Sequence, residues 1–516
     1  MLSNYVIGSD WVVNGFVCGP APLANRCRNG NQLYSANHHD FGPRAGFAWS
    51  PGFGHDKLVL RGGFGIIFNR NYDAVFDNVR QDTPFTALAT SCCFFDPGPI
   101  VGAPPGSNIQ YALGANRQAN SYPVNPAYAF GVTPDGALCS SAGCATTAQA
   151  SLFAALPNEP NPYVYIFSYE AQLEPIRDWV FKLGYQGSRS RKLVRTVDLN
   201  RYLPGDTFDG TKDYVQQNGS NGQPCGSTNP TCALQHATGN ILFSNIYTPL
   251  PDVNASFDAA VLSVDRKFKH GFQISGSYTW SHAIDTSSYE VGFQQTDPSN
   301  QEIDRGDSDF DIRRNLVISG TWQSPFIGGR DSWIGKAVGG WSISGILSKH
   351  SGYPFAALIG SCNPSADRNG DGYCPDLPFN YFGGAIPNPD KQQFINGIFP
   401  TCKADSTGNV TNASCPDFDI TTLGPGCRCR NIFRGPGYTS LDMAVGKDFA
   451  LPRTAALGEL AQLSLRANFF NAFNILNLSP FIPAAAPTDI KNANSFGHAP
   501  DGLAGRVIEF QARLSF

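Results

Sequence analysis

The sequence predicts an all-β fold, an antiparallel transmembrane β-barrel that is partial and has about 12–14 strands, with long extracellular loops and short periplasmic turns. Three observations predict it. The 516 residues include 54 Gly and only 2 Met, 12% are aromatic and 15% are charged, and this composition favours strands over helices. Apolar and polar residues alternate in several segments, as side chains do along a strand. The connections between these segments are alternately short and long.

The C-terminal segment shows the alternation most clearly. Its apolar set is Ile508, Phe510, Ala512, Leu514 and Phe516, and its polar set is Glu509, Gln511, Arg513 and Ser515. In a soluble sandwich the apolar face would pack on a second sheet, whereas in a membrane barrel it faces lipid and the polar face lines a wet lumen. One strand does not decide between them, and the order of short and long connections favours the barrel.

Further strands are predicted in chain order, mostly as hairpins with short turns rich in Pro and Gly. Residues 5–16 form a first strand with weak alternation. The hairpins pair residues 44–49 with 58–68, 163–173 with 179–188, 260–268 with 272–280, 316–322 with 341–347, and 441–445 with 463–469. The segment ending at Phe516 follows a long loop, so the order of connections predicts that the C-terminus lies on the periplasmic side.

Residues 1–516 are predicted to form a single β-barrel domain. Its long loops are predicted at about 71–160, 189–250, 282–312, 350–436 and 474–504. Residues 1–10 have neither a basic region nor an apolar run, so no signal peptide is predicted there. No plug is predicted either, and the chain is therefore expected to be truncated at its N-terminus.

The fourteen cysteines all lie in the predicted long loops or in the N-terminal region, in closely spaced couples. This spacing is typical of local disulfides formed in an oxidising compartment. A zinc site is the weaker interpretation, because the two cysteines around Arg428 lack a two-residue gap. The couples are at 18 and 27, 92 and 93, 139 and 144, 225 and 232, 362 and 374, 402 and 415, and 427 and 429.

The sequence also argues against several classes of protein. No apolar run reaches the roughly 18 residues that a membrane helix needs. The net charge is -4 and no basic stripe occurs, so we expect no nucleic-acid partner. No Ser-His-Asp spacing, P-loop or HExxH motif occurs, so we expect no enzyme. The expected environment is outer-membrane lipid, because most of the tryptophans lie near strand ends, as interfacial aromatic residues do.

One segment has the spacing of a calcium loop. Asp367, Asn369 and Asp371 alternate before Gly372, and Asp376 could supply a further oxygen. The twelfth position is Pro378 instead of Glu, so the segment is not an EF-hand, and a plain Asp-Gly turn is the alternative. Calcium is therefore a candidate cofactor. His38, His39 and Asp40 are predicted to form a polar loop in preference to a metal or acid-base cluster. An extracellular salt-bridge network, in preference to a pair of catalytic carboxylates, is predicted for Glu302, Asp304, Asp307, Asp309 and Asp311 with Arg305, Arg313 and Arg314.

Several motifs in order resemble one family. They are residues 41–49 (FGPRAGFAW), 60–66 (LRGGFGI), 277–285 (SYTWSHAID), 309–314 (DFDIRR), 340–346 (GWSISGI), 434–438 (RGPGY), 466–474 (RANFFNAFN) and the terminal Leu514-Ser515-Phe516. Together they resemble TonB-dependent outer-membrane receptors of the Oar-like type, which begin with a carboxypeptidase-regulatory-like domain. The resemblance covers nearly the whole chain but only the later, barrel portion of such a receptor.

The resemblance implies a protein of the bacterial outer membrane that imports a nutrient ligand of unknown identity. Contact with the TonB complex would be made through N-terminal parts that precede the barrel in such receptors. Two alternatives stay open, a passive porin and a surface adhesin whose disulfide-braced loops bind a partner. In each case the polar faces of the strands line the interior, and Lys182, Gln273, Arg466, Glu509 and Arg513 are expected among the lining residues.

Overall fold

The computed structural model describes seventeen stretches of the chain. They are residues 4–7, 13–17, 39–52, 57–70, 138–139, 147–148, 150–153, 160–198, 243–288, 300–324, 333–360, 376–386, 389–405, 410–422, 426–451, 462–482 and 486–515. Within these stretches, no helix is both long and apolar enough to cross a bilayer.

Strands make up most of the described chain. In order they are β1 (Asn4–Ile7), β2 (Val13–Val17), β3 (Arg44–Trp49), β4 (Leu58–Phe68), β5 (Leu138–Cys139), β6 (Thr147–Ala148), β7 (Ala150–Phe153), β8 (Tyr163–Ile176), β9 (Trp179–Asp198), β10 (Phe243–Lys269), β11 (Phe272–Asp285), β12 (Gly306–Asp307), β13 (Arg314–Gln323), β14 (Trp341–His350), β15 (Pro354–Phe355), β16 (Asn380–Tyr381), β17 (Phe418–Asp419), β18 (Phe433–Arg434), β19 (Tyr438–Ala450), β20 (Gln462–Phe470) and β21 (Val507–Ser515). Two α-helices span Trp333–Val338 and Lys391–Asn396, and two 3₁₀ turns span Gln301–Ile303 and Ala486–Thr488.

One 13-stranded sheet dominates the fold. Its hydrogen-bonded order is β21-β20-β19-β14-β13-β11-β10-β9-β8-β4-β3. The path follows chain order, with shorter strands between β4 and β8, between β11 and β13 and between β14 and β19, and all neighbours on it pair antiparallel. Two short strands lie off this path: β12 pairs antiparallel with β11, and β7 pairs parallel with β10. The all-β class and the predicted strand number are thus confirmed. Across the described residues the path has two ends, at β3 and β21, and no pairing between those two strands is seen.

The register separates an apolar face from a polar face. In β20 and β21, Ile508 lies opposite Phe469 and Phe510 lies opposite Ala467, whereas Glu509 lies opposite Asn468. Residues directly opposite each other share a face, so the apolar set predicted from the alternation lies on one side of the sheet. Phe510 is 84% exposed. In a barrel of the outer membrane this apolar side is the lipid face.

Two hairpin turns are as tight as the sequence predicts. Asp178 has φ 72° between β8 and β9, and His270 and Gly271 have φ 51° and 75° between β10 and β11. Two successive positive φ angles define the turn that matches the twist of antiparallel strands. A Cβ on Gly271 would lie 2.2 Å from the Gln323 carbonyl oxygen, so glycine is required at this position.

Some predicted boundaries need correction. Residues 5–16 form two short strands, β1 and β2, that pair with each other instead of one strand. The loop predicted at 189–250 is shorter, because β9 continues to Asp198 and β10 begins at Phe243. The register between β9 and β10 extends to Asp198 opposite Tyr247. The polar residues near this end therefore remain within the strands. The turn predicted between residues 322 and 341 contains the helix Trp333–Val338.

The described part of the loop predicted at 350–436 forms a compact unit with the described part of residues 471–502, and we call this unit the cap. Its core is made largely of aromatic side chains in edge and stacked contacts. The Cys402–Cys415 and Cys427–Cys429 disulfides lie in it, as the cysteine spacing predicted. The helix Lys391–Asn396 begins at Asp390, whose side chain accepts from the Gln393 amide. The core side chains that are at most 2% exposed are Phe355, Ala357, Ile359, Phe394, Cys415, Phe418, Ile420, Ile490 and Phe496.

Candidate functional site: the inner wall and the ionic junction

The polar face of the sheet forms a wall of neutral polar side chains. Ser275 on β11 lies opposite Ser319 on β13, and Thr321 on β13 lies opposite Ser344 on β14. Gln273, Arg466, Glu509 and Arg513, predicted as interior residues, share this face. A pocket of about 470 Å³ lies against the wall. Its polar lining consists of Gln273, Ser275, Ser319, Thr321, Ser344, Asp442, Arg466 and Asn468.

Charged side chains on the wall are held by local partners. The predicted interior residue Lys182 binds the Asp265 carboxylate at 3.0 Å, and Ser275 donates to the same carboxylate at 2.6 Å. Arg466 donates through Nε to Asn468 at 2.8 Å. Neutral donors and acceptors therefore occupy most of this part of the wall, and Lys182 and Asp265 form an opposite-charge pair on it. Such a wall can hydrogen-bond a polar solute without holding it through a strong net charge.

An ionic junction joins the cap to the ends of β11 and β13. We use this name for Asp285, Asp307, Asp309 and Asp311 with His282, Arg313, Arg430, Asn431 and Arg434. Asp307 accepts from Arg313 at 2.9 Å and contacts His282 at 2.8 Å. Asp311 is fully buried and accepts from Arg313 at 2.9 Å. Arg434, which comes from the cap, binds both carboxylates.

Arg430 is the buried centre of the junction, with only 3% of its side chain exposed. Its guanidinium binds the Asp285 carboxylate at 2.7 Å and the Asp309 carboxylate at 3.4 Å. It also donates to the Asp304 carbonyl oxygen at 3.2 Å. Asn431 donates to the Asp307 carbonyl oxygen at 2.7 Å. Residues far apart in the chain are thus joined, and the cap is fixed to the strand ends by charge-assisted hydrogen bonds.

Burial raises the pKa of two carboxyl groups of the junction, those of Asp307 and Asp309, but the groups around them oppose this effect to different extents. Burial alone would raise the pKa of Asp307, yet hydrogen bonds from His282 and Arg313 and the charge of Arg434 outweigh it and hold that pKa below its usual value. Burial also raises the pKa of Asp309, and there Arg430 and Asn431 do not compensate fully. One oxygen of Asp309 is buried without a hydrogen-bond partner.

These opposite shifts predict a pH-dependent difference between two isosteric variants. The lowered pKa of Asp307 means that its stabilising effect is present above the unfolded-state pKa of about 3.9 and is lost as the pH falls through the folded-state value. We expect Asp307→Asn to lower the free energy of unfolding by about 2 kcal/mol at pH 7 and by less at pH 3, which lies below the unfolded-state pKa. Urea unfolding in micelles at both pH values measures this difference.

Asp309→Asn is the matched control for that experiment. Because the pKa of Asp309 is raised, its ionised form is the destabilised one, and the amide keeps an oxygen that can accept from Arg430 and Asn431. We expect this variant to be at least as stable as the wild type at pH 7. Equal destabilisation by both substitutions would contradict the assignment of the two carboxyl groups.

The predicted metal site lies mostly outside the described residues. Asp367, Asn369 and Asp371 are not among them, and calcium binding there stays a prediction. Asp376 is described and buried, and its carbonyl oxygen accepts from the Ile359 amide at 2.7 Å. In the described part of the chain, no group of three His, Cys, Asp or Glu residues is placed to hold a metal ion. Asp40 of the predicted polar loop accepts from the Asn161 side chain at 2.5 Å.

The sequence predicted the acidic half of the junction but not its basic centre. Asp307, Asp311 and Arg313 interact as the interleaved charges indicated. The prediction was wrong for Glu302, Arg305 and Arg314, which make no side-chain ion pair in the described structure. Arg430 and Asn431 were missed, because more than a hundred residues separate them from their partners. The one available signal was their proximity to the RGPGY motif that begins at Arg434.

Comparisons with known proteins identify the family of the chain. A search of curated sequences found no match. Three similar solved structures are the outer membrane transporter YddB from Escherichia coli, the siderophore receptor PirA from Acinetobacter baumannii and FpvA from P. aeruginosa bound to pyoverdines. Their sequence identities are 7%, 10% and 9%, and their TM-scores are 0.40, 0.37 and 0.35. Alignments cover 94%, 92% and 92% of this chain but only 41%, 40% and 33% of those chains.

The chain therefore spans less than half the length of each of these proteins. A family model described as "Outer membrane beta barrel domain" matches residues 5–509, which is almost the whole sequence. The alternation, the antiparallel sheet and the girdle-like tryptophans agree with that match. The chain is a protein of the bacterial outer membrane and belongs to the outer membrane β-barrel domain family.

Proposed function

We propose that the chain is the barrel portion of a TonB-dependent receptor of the Oar-like type that imports a nutrient ligand. The observation that carries the proposal is the cap, a folded extracellular unit fixed by the ionic junction at the end of a polar inner wall. A folded unit held at the strand ends suits capture of a ligand before passage. The motifs around residues 309–314, 434–438 and 466–474 support the same receptor type.

The proposal assigns binding and transport to the chain and no catalysis. The partners are outer-membrane lipid, an unidentified ligand and, through N-terminal parts of such a receptor, the TonB complex. A surface-binding protein that transports nothing is the second candidate, and the same cap favours it over a passive porin. An open porin does not need a hydrophobic core above its lumen.

Uptake measurements in cells of the source bacterium separate the three functions. Cells with and without the gene are given radiolabelled neutral oligosaccharides, peptides or ferric chelates, in the presence or absence of a protonophore. We expect uptake of one class to require both the gene and the proton gradient. Gene-dependent uptake that resists the protonophore would indicate a porin, and binding without uptake would indicate a surface-binding protein. Either result would overturn the proposal.

A complementary measurement is the sequence of the DNA upstream of Met1. We expect an in-frame region that encodes a plug-type domain, because energised import requires one to gate the barrel. Unrelated DNA at that place would contradict the receptor assignment and would favour one of the other two functions.

A further inference from the structure

The outer face of the central strands is apolar except near its ends. On β11, β13, β14 and β19 the residues of this face are mostly Ile, Leu, Val, Phe, Tyr, Trp, Met and Gly. No carboxylate lies on the outer face of these four described strands. The register identifies the polar exceptions as His282, Arg314, Lys349, Thr439 and Lys447.

Two of these exceptions form a like-charged pair at the extracellular end. Arg314 lies opposite Trp280, and Lys349 lies opposite Leu316 on the adjacent strand. Leu316 is two residues from Arg314, so the two cations are diagonal neighbours on one face. Both are exposed, and neither side chain makes a hydrogen bond or ion pair in the described structure. Their mutual repulsion is uncompensated within these strands.

Other cations of the outer face have partners within the protein. Arg266 donates to the Phe272 carbonyl oxygen at 2.5 Å and lies over the Trp179 ring. Lys447 donates to the Gly339 carbonyl oxygen at 2.5 Å and lies over the Trp341 ring. Arg189 binds Asp258 at 3.0 Å. Arg314 and Lys349 differ from these three, because their charged groups point to the surroundings of the barrel without an internal acceptor.

The acidic residues that come just before β13 in the chain do not supply the missing charge. Asp307 and Asp311 lie just before β13, but Arg313 and Arg434 already occupy both carboxylates. The pair therefore carries a surplus of two positive charges at the strand ends. An anion placed between the two cations would offset their repulsion.

The position of the pair indicates which anion is available. Trp280 is 63% exposed on the outer face, and an aromatic side chain at a strand end marks the level of the lipid headgroups. Arg314 lies beside this tryptophan, so both cations are placed among the headgroups of the outer leaflet. A guanidinium binds phosphate through paired hydrogen bonds, and an ammonium adds a point charge.

We propose that Arg314 and Lys349 bind the phosphate of an outer-leaflet lipid. Trp280 contacts the apolar part of the same lipid next to the phosphate. One lipid phosphate between the two cations removes their repulsion. The acyl chains of the same lipid continue along Tyr278 and Leu316 on the apolar face. This site is on the outside of the barrel and is independent of any solute that the lumen admits. It fixes one lipid beside the strand ends that carry the ionic junction.

The test compares lipid retention by the full chain purified in detergent. Native mass spectrometry measures binding of bisphosphorylated lipid A and of the same glycolipid after removal of its phosphates. The variant is R314Q/K349Q. The control is R428Q/K403Q, which removes the same charge from two exposed positions of the cap. Mobility in electrophoresis before and after heating shows that each variant is folded.

We expect R314Q/K349Q to bind bisphosphorylated lipid A about tenfold more weakly than the wild type, and the control to bind it equally well. The dephosphorylated lipid should bind weakly to all three proteins. Equal affinity of the site variant and the wild type would overturn the proposal, as would an equal loss in the control. Inorganic phosphate that binds the pair while lipid A does not would also overturn it, because the site would then hold a free anion.

Discussion

Ile318→Arg is expected to lower the free energy of unfolding in lipid by about 2–4 kcal/mol, the cost of placing a cation near the bilayer midplane on a lipid-facing strand position. Ile318 lies in the middle of β13, between Gly276 on β11 and Leu347 on β14, on the apolar face. Urea-dependent unfolding from liposomes, followed by tryptophan fluorescence, measures the loss.

Ser319→Arg is the matched control because it changes the next residue and adds the same charge. Ser319 lies opposite Ser275 and Ile346 on the inner wall and lines the pocket there. An arginine at this position keeps its charge in a polar environment, so we expect a change within about 0.5 kcal/mol. Similar costs at both positions would contradict the assignment of the two faces.

Arg430→Ala is expected to destabilise the cap by about 3–5 kcal/mol, since it leaves buried carboxylates without their counter-ion. Asp285 and Asp309 both lose a charge-assisted bond, and the Asp304 carbonyl oxygen loses a donor. Hydrogen exchange of the cap amides measures the effect, because local opening should become visible before the strands of the sheet exchange.

Arg428→Ala provides the comparison for that measurement. Arg428 lies two residues before Arg430 in the same segment but is exposed. A surface substitution of this kind is expected to leave the exchange of the cap within about 0.5 kcal/mol of the wild type. Equal effects of the two substitutions would show that the buried ion pairs do not fix the cap to the strands.

The sequence predicts the sheet well because each strand carries its own local pattern. Alternation over residues 508–515 and 272–280 follows from the strand period of two, and the register reproduces both faces. The His270-Gly271 turn was equally local, since its backbone conformation favours those residues. The extension of β9 and β10 was not predictable, because polar residues there are held by pairing between strands instead of by an apolar pattern.

The cap was not predictable for a different reason. Its core brings together Phe355, Phe399, Phe433 and Phe496 from distant parts of the chain, with no regular spacing among them. The junction depends likewise on Arg430 and Arg434 meeting acids more than a hundred residues earlier. The acidic run and the cysteine couples nevertheless predicted a salt-bridge network and disulfides in the correct part of the chain.

The central claim is that one face of the sheet contacts lipid and the other lines an aqueous lumen. Electron paramagnetic resonance tests it directly, with a spin-labelled unnatural amino acid placed at residue 318 or at residue 319 of the chain in liposomes. We predict that the label at 318 collides mainly with oxygen, which partitions into the bilayer, and that the label at 319 collides mainly with a water-soluble nickel chelate. Equal accessibility at both positions, or the reverse order, would contradict the account.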